Sequence, residues 1–352
     1  MFTVLYGEGT FMGVSLGATV LSYLKIARVY YVLCIAFGLL AFIPERVMSL
    51  LPRSVPVLRN ILNNSVGRGK TYDERSAKEL GRGSFLISRL LSASVPKKWF
   101  AHLYHVAVFN TFLHLCLLCL SLACQPEATT VGKLLGTVEH RNTLLALACL
   151  QIHVSRRLYE NYFVHVHSEE GRMQLVGYVF GLLYYVFLPA TFYTETVAGN
   201  TSSILDASGA LSSTCDLNWS SWWLGDFVGT VKGTDIALLA LFFFGNVMQY
   251  QSHAMLASLR SKGGRGSGEG KRTYKIPKGF WFTYCSNPHY LAEIVLYLAF
   301  ITLSNSWSQS TVILMTMVVM NLTLSATMTH KYYKEKFKTY PTKRYAIFPG
   351  IV

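Results

Sequence analysis

The sequence predicts an all-α fold: a polytopic membrane helix bundle of about seven transmembrane helices, with six to eight as the bounds. Three observations carry that expectation. Charged residues make up only 14% of the 352 residues, against about 25% in a soluble domain. Hydrophobic residues make up 51%, and the mean hydropathy is +0.33. The apolar residues also gather into runs of the length a spanning helix needs, about 20 residues. Together these exclude a secreted disulfide scaffold and a disordered chain.

The runs fall at roughly 30–48, 100–124, 142–164, 173–193, 235–257, 288–306 and 310–328. A shorter run, Thr10 to Leu24, precedes them and leads into Lys25 and Arg28. It reads as interfacial or as continuous with the first span. The sixth run opens on Asn287-Pro288, an N-cap residue followed by proline at the first helical position.

Charge sets the orientation. The net charge is +14, which could point to nucleic acid, but its placement says otherwise. Residues 44–99 carry 11 Lys/Arg against 4 Asp/Glu, residues 260–287 carry 7 against 1, and residues 331–352 carry 6 against 1. With the turn at 155–172 these segments total +18, and the rest of the chain totals −4. That is the positive-inside pattern, so the basic segments and the carboxyl terminus are expected in the cytosol and no nucleic-acid partner is expected. Residues 194–234 then fall in the lumen, where Asn200-Thr201-Ser202 and Asn218-Trp219-Ser220 match the glycosylation pattern. Met1-Phe2-Thr3 lacks a basic n-region, so no removable signal peptide is expected.

Of the seven cysteines, Cys34, Cys116, Cys119, Cys124 and Cys149 sit in apolar runs, where a free thiol behaves as a small hydrophobe. Cys215 and Cys285 have no nearby partner, so neither a metal site nor a structural disulfide is expected. Residues 261–273 are rich in glycine and serine and read as a flexible linker rather than a phosphate loop, since no Gly-x-Gly-x-x-Gly falls in register.

Ionisable residues inside spans are costly and mark a functional interior. His289, Glu293 and Tyr297 share one helical face, and His153, Arg156, Arg157 and Glu160 share another. One of the two arginines could instead snorkel to headgroups. Ser325, Thr329 and Tyr333 repeat every four residues, with His330 beside them. His102 and Tyr104 follow Val95-Pro96-Lys97-Lys98-Trp99-Phe100. By the charge pattern, all four clusters lie at cytosolic helix ends. Converging helices would line a pocket open to a soluble anionic cofactor and to an apolar substrate.

Several of these segments resemble the steroid 5-alpha-reductase family, and within it the polyprenol (polyprenal) reductase branch. The resemblance runs from about residue 66 to 352. It rests on Val95-Pro96-Lys97-Lys98-Trp99-Phe100-Ala101-His102-Leu103-Tyr104, on Arg156-Arg157-Leu158-Tyr159-Glu160 and on Gly181-Leu182-Leu183-Tyr184-Tyr185. It continues through Gln249-Tyr250-Gln251-Ser252-His253, Asn287 to Glu293, and Thr329-His330-Lys331-Tyr332-Tyr333 with Tyr340-Pro341. The resemblance implies residues 1–99 as a membrane segment plus basic loop. Residues 100–352 are then a transmembrane reductase domain with an NADPH- and lipid-binding cavity. It implies NADPH as cofactor, bound by His253, Arg260, Tyr274, Asn287, His289, Glu293, Ser325 and Thr329. Arg260 would suit the adenosine 2′-phosphate, and His289 with Glu293 the nicotinamide carboxamide. It further implies a long-chain polyprenoid lipid as substrate, an endoplasmic reticulum membrane location and a place in dolichol formation for protein glycosylation. Leu103 and Val154 stand where steroid reductases carry the acid–tyrosine pair that grips a steroid ketone. His102 and His153, each one residue earlier, are the expected replacements, and Ser325 stands where steroid reductases have arginine.

Chemistry refines the substrate. Hydride addition to an allylic alcohol would leave an unstabilised carbanion, whereas an α,β-unsaturated aldehyde gives an enolate that hydrogen-bond donors stabilise. Polyprenal is therefore the expected immediate substrate, with polyprenol kept open. His330, Tyr333 or water would supply the proton, so the catalytic set is His330, Tyr333, His102 and His153. The alternatives are a 3-oxo-steroid or enoyl reductase, a membrane methyltransferase for prenylated cysteine, and, outside enzymes, a seven-span receptor or channel.

Overall fold

The computed structural model describes residues 16–52, 55, 59, 93–123, 130–167, 171–202, 231–261, 275–305 and 307–351. Among these the long elements are helices: α1 (Leu16–Leu39), α2 (Phe100–Ala123), α3 (Thr130–Phe163) and α4 (Leu175–Phe187). They continue with α5 (Glu195–Ser202), α6 (Gly233–Ser261), α7 (Pro288–Leu303) and α8 (Gln309–Lys336). The protein is a helical membrane bundle. Four segments, Tyr23–Phe42, Lys97–Leu122, Leu175–Phe192 and Gln309–Lys336, are long and apolar enough to cross a membrane, and α7 is apolar but shorter. Helices α3 and α6 are long enough too, but they are interrupted by the polar residues that build the site. Their outer faces carry exposed Ile152, Phe243, Phe244 and Val247, the surface that lipid rather than water accepts.

The early run is continuous with the first span, as one of the two expectations had it: a single helix runs from Leu16 to Leu39. The expected span at 30–48 ends early. Ile43 is extended, with ψ 126°, because the proline ring at Pro44 disfavours the helical conformation in the residue before it. Arg28, a charged residue in this helix, is satisfied inside the bundle: its Nε donates to Ser310 Oγ at 2.6 Å.

Interhelical packing in lipid rests on close contact and on polar bonds between helices rather than on exclusion of water. Gly245 permits the approach of α6 to α7, since a Cβ there would lie 3.0 Å from Leu296 Cγ. Phe192, Phe242, Tyr297 and Phe300 are fully or almost fully buried at the centre. At the end of the bundle remote from the site, Arg141 Nη2 donates to Asp235 Oδ2 at 2.9 Å and so pins α3 to α6. Thr201, in the first glycosylation pattern, is buried on α5, and its hydroxyl donates to Val197 O at 2.7 Å. The second pattern, at Asn218, lies outside the described residues.

Two short features frame the site. β1 (Ser94–Pro96) pairs antiparallel with β2 (Arg172–Gln174), Val95 opposite Met173, and clips the start of α2 to the start of α4. The carboxyl-terminal tail folds back over the loop before α7, with Tyr345 N donating to Tyr284 O at 3.1 Å and Ser286 N to Tyr345 O at 2.8 Å.

Candidate active site

A cavity of about 550 Å³ lies inside the bundle, walled by α1, α2, α3, α4, α6, α7 and α8. Its two ends differ. Lys97, His167, Arg260 and Lys275 line one end, while Tyr30, Phe37, Phe180 and Met320 line the other.

The polar wall is a continuous hydrogen-bonded lattice anchored on α3. His153, Arg156, Arg157 and Glu160 recur at i, i+3, i+4 and i+7, which sets them on one helical face. Glu160 is fully buried and accepts from both Arg156 and Arg157, with His253 Nδ1 2.8 Å from Oε2. Neither arginine snorkels. Arg156 Nε donates to Asn246 Oδ1 at 2.7 Å and its Nη2 to Gln249 Oε1. Gln249 Nε2 in turn donates to Glu293 and, at 3.2 Å, to His289 O. Arg157 Nη2 donates to the Tyr104 hydroxyl at 2.7 Å. Two guanidinium groups thus share the Glu160 carboxylate, with Glu293 joined to them through Gln249, and that balance of two positive and two negative groups is what makes buried charge tolerable.

Eight of the residues expected at the site come together on this cavity: His253, Arg260, Asn287, His289, Glu293, Ser325, Thr329 and Tyr333. Arg260 Nη1 donates to Val166 O at 3.1 Å, which holds it at the basic end. Asn287 occupies the N-cap position of α7 but does not cap it. Its Nδ2 instead bridges Ala326 O at 3.2 Å and Ala346 O at 3.1 Å. Ser325 Oγ donates within its own helix to Asn321 O. Tyr274 lies outside the described residues.

Three expected residues stand elsewhere. His102 is exposed on the outer face of α2, its Nδ1 3.0 Å from the Tyr178 hydroxyl. One residue on a helix is a rotation of about 100°, so the neighbouring Leu103 is the one that lines the cavity. His153 is buried behind the wall, its Nε2 3.4 Å from Glu293 Oε1 and its ring against Phe300. His330 lines a separate cavity of about 500 Å³, with its Nδ1 2.6 Å from Ser286 Oγ.

Residues absent from the expected set also line the cavity, among them Tyr104, Arg157, Gln249, Ser286 and His165. Asn246, Gln249 and His253 at i, i+3 and i+7 form a polar stripe on α6 that was legible in the sequence. His165 was not, because it follows the end of α3 in irregular backbone. Burial, and then the nearby Arg157 guanidinium, push it down to about 3, so it is neutral at physiological pH. Its Nε2 is buried with no hydrogen-bond partner among the described residues. Glu160, His165 and His253 each place one ligand-capable atom within 4.8 Å of the others. Arg157 Nη1, 2.8 Å from His253 Nδ1, already supplies positive charge there.

Comparison with known proteins identifies the family. A family model described as 3-oxo-5-alpha-steroid 4-dehydrogenase matches residues 212–352, the segment that holds α6, α7, α8 and the tail. Polyprenal reductase 1 of Oryza sativa subsp. indica is 31% identical over 339 residues, covering 84% of this chain and 89% of the relative. The polyprenal reductase of Danio rerio is 31% identical over 337 residues, covering 92% and 97%. That of Homo sapiens is 28% identical over 319 residues, covering 88% and 92%. With about nine-tenths or more of each relative spanned, and two of them 31% identical, the chain belongs to the steroid 5-alpha-reductase family of oxidoreductases, on its polyprenal reductase branch.

Proposed function

We propose that the protein reduces the α-isoprene double bond of a long-chain polyprenal, with NADPH as hydride donor. We place this reaction in the endoplasmic reticulum membrane, with the carboxyl terminus cytosolic and the product leading to dolichol for protein glycosylation. The observation that carries the reading is a single cavity with a cationic end and an apolar end, in a chain whose relatives are named polyprenal reductases. The residues suit the nucleotide. Lys97, Arg260 and Lys275 supply charge for phosphates, Arg260 with the fork that a 2′-phosphate monoester matches. Glu293 and His289 face the interior, where a carboxamide needs an acceptor, and His165 Nε2 is a buried polar atom awaiting a partner. When bound, the nucleotide supplies the hydride.

The chain's own residues then answer for the developing charge. Leu103 offers nothing to a carbonyl oxygen, and His102 and His153 do not reach the cavity. Tyr104 does: its oxygen accepts from Arg157, which leaves its own proton to donate. A phenol so placed, backed by a guanidinium in a site with little water, is a preorganised donor for an enolate oxygen.

The test is turnover by the purified protein with NADPH and, separately, polyprenal, polyprenol and a 3-keto-4-ene steroid. Polyprenal should yield the saturated aldehyde, and the steroid should react poorly. Efficient reduction of polyprenol with no aldehyde or dehydrogenase present would overturn the enal reading, and no turnover of any of the three would overturn the reductase reading.

A further inference from the structure

Reduction of an enal consumes a proton as well as a hydride. Hydride at the β-carbon brings two electrons and leaves an enolate, which becomes the saturated aldehyde only when its α-carbon gains a proton. The polar wall has little to give. Arg156, Arg157 and Glu160 are bound to one another, and the Tyr104 proton is needed at the oxygen.

A supply exists on the other side of the cavity. The second cavity, about 500 Å³, is lined by His330, Lys331, Lys334, Glu335, Lys343 and Arg344, among others. Lys331, Lys334, Glu335 and Lys343 are exposed, so this cavity meets solvent. Ser286 lines the inner cavity and His330 the outer one, and their side chains touch, with Oγ to Nδ1 at 2.6 Å. Ser286 is itself 2% exposed and fixed from three directions. Its Oγ is 2.5 Å from the Tyr340 hydroxyl, its own proton is held by Tyr345 O at 3.1 Å, and its backbone N–H donates to the same carbonyl. Tyr340 is in turn stacked on Tyr333, with 4° between the rings.

We infer that Ser286 and His330 form the proton route of the reaction, joining outer solvent to the α-carbon of the bound enolate. Ser286 turns its hydroxyl proton from the Tyr345 carbonyl toward the α-carbon and delivers it directly or through one water. It takes the Nδ1 proton of His330 in the same event as His330 Nε2 picks up a proton from the outer cavity, which leaves the ring neutral as its other tautomer, and exchange with solvent restores the first. One proton enters and one is consumed, and the hydride donor is the only reductant needed. Ser286 is the residue that faces the reacting atoms. His330 acts through it, and Tyr340 is a positioning residue that holds the serine oxygen. The inference rests on the reductase reading.

The experiment uses the full-length protein in detergent or nanodiscs. His330→Ala should lower kcat for polyprenal at least tenfold while leaving the KM for NADPH and the thermal midpoint near those of the wild type. Free imidazole should fill the space left in the outer cavity and restore turnover in a saturable way. Ser286→Ala should lose turnover in a way that imidazole does not restore. A His330→Ala enzyme with wild-type kcat overturns the route, and so does a folded, NADPH-binding His330→Ala enzyme whose loss imidazole cannot repair. Wild-type protein that fails to reduce polyprenal at all defeats the reductase reading and the route together, whereas the preceding two outcomes defeat the route alone.

Discussion

The two walls of the inner cavity are held by different physics. On the side of α3, α6 and α7, charged and amide groups hold one another: Arg156 with Asn246, Gln249 and Glu160, Arg157 with Glu160 and Tyr104, and Gln249 with Glu293. On the side of α1 and α4 the contacts are rings and van der Waals surface. Tyr30 stacks on Phe180 at 5.9 Å and donates to Phe180 O at 2.6 Å. Gly38 and Gly181 leave room that Met320 and Leu103 fill. A buried charge without its counter-charge costs several kcal/mol, so the first wall tolerates one arrangement. In the proposed function the second has only to fit a flexible hydrocarbon, and methionine and glycine give it adaptable shape. The polar wall is therefore rigid, and the apolar wall is forgiving.

The largest test of that contrast is Glu160→Gln. The substitution keeps the shape and removes the charge that both arginines share at a fully buried point. Breaking a buried pair from one side costs about 3–5 kcal/mol. A sharp fall in thermal midpoint and in yield from the membrane should follow, measured by thermal unfolding in detergent. A variant as stable as wild type would mean that the lattice is not what holds the polar wall.

Tyr104→Phe should act on rate rather than on folding. It removes one hydroxyl that lies at the meeting of the two walls. One preorganised donor to a developing oxyanion is worth about 2.7–4 kcal/mol, so kcat should fall by about 10²–10³ with the KM for NADPH unchanged. An unchanged kcat would move the oxyanion donor away from Tyr104 and leave the cavity and cofactor proposals as they stand.

The contrast also explains what the sequence disclosed. The helical bundle was legible because apolar runs and low charge report on lipid exposure directly. Spacing likewise exposed the His153, Arg156, Arg157 and Glu160 stripe, since a helix repeats its faces. Spacing does not say which face of α2 turns inward, and that is why His102 was preferred as the site residue over Tyr104, two positions on in the same polar cluster. His330 misled in another way. It neighbours cavity-lining Thr329 in sequence yet points to the outer cavity, and its link inward runs through Ser286, 44 residues earlier in the chain. Contacts made through irregular backbone, like those of Ser286 and His165, leave no periodic trace. The break at Pro44 was readable from the proline but was outweighed by the continuous apolar run around it.

The smallest effect is expected on the forgiving wall, from Gly181→Ala. A Cβ at this position would lie 2.6 Å from Leu103 Cδ2 and 3.5 Å from its Cγ, and no backbone atom is near it. The clash is with the far end of a flexible side chain, so Leu103 can rotate away at a cost of about 1 kcal/mol. Because Leu103 lines the cavity, the rotation narrows the apolar end and leaves the lattice around Glu160 and Glu293 untouched. Nucleotide affinity should therefore match wild type, while the KM for a long polyprenal rises a few-fold and that for a short terpenoid enal changes less. Equal effects on long and short substrates would place the chain-binding surface elsewhere. A loss of NADPH affinity would show that the two walls move together and that the division between them is too sharp.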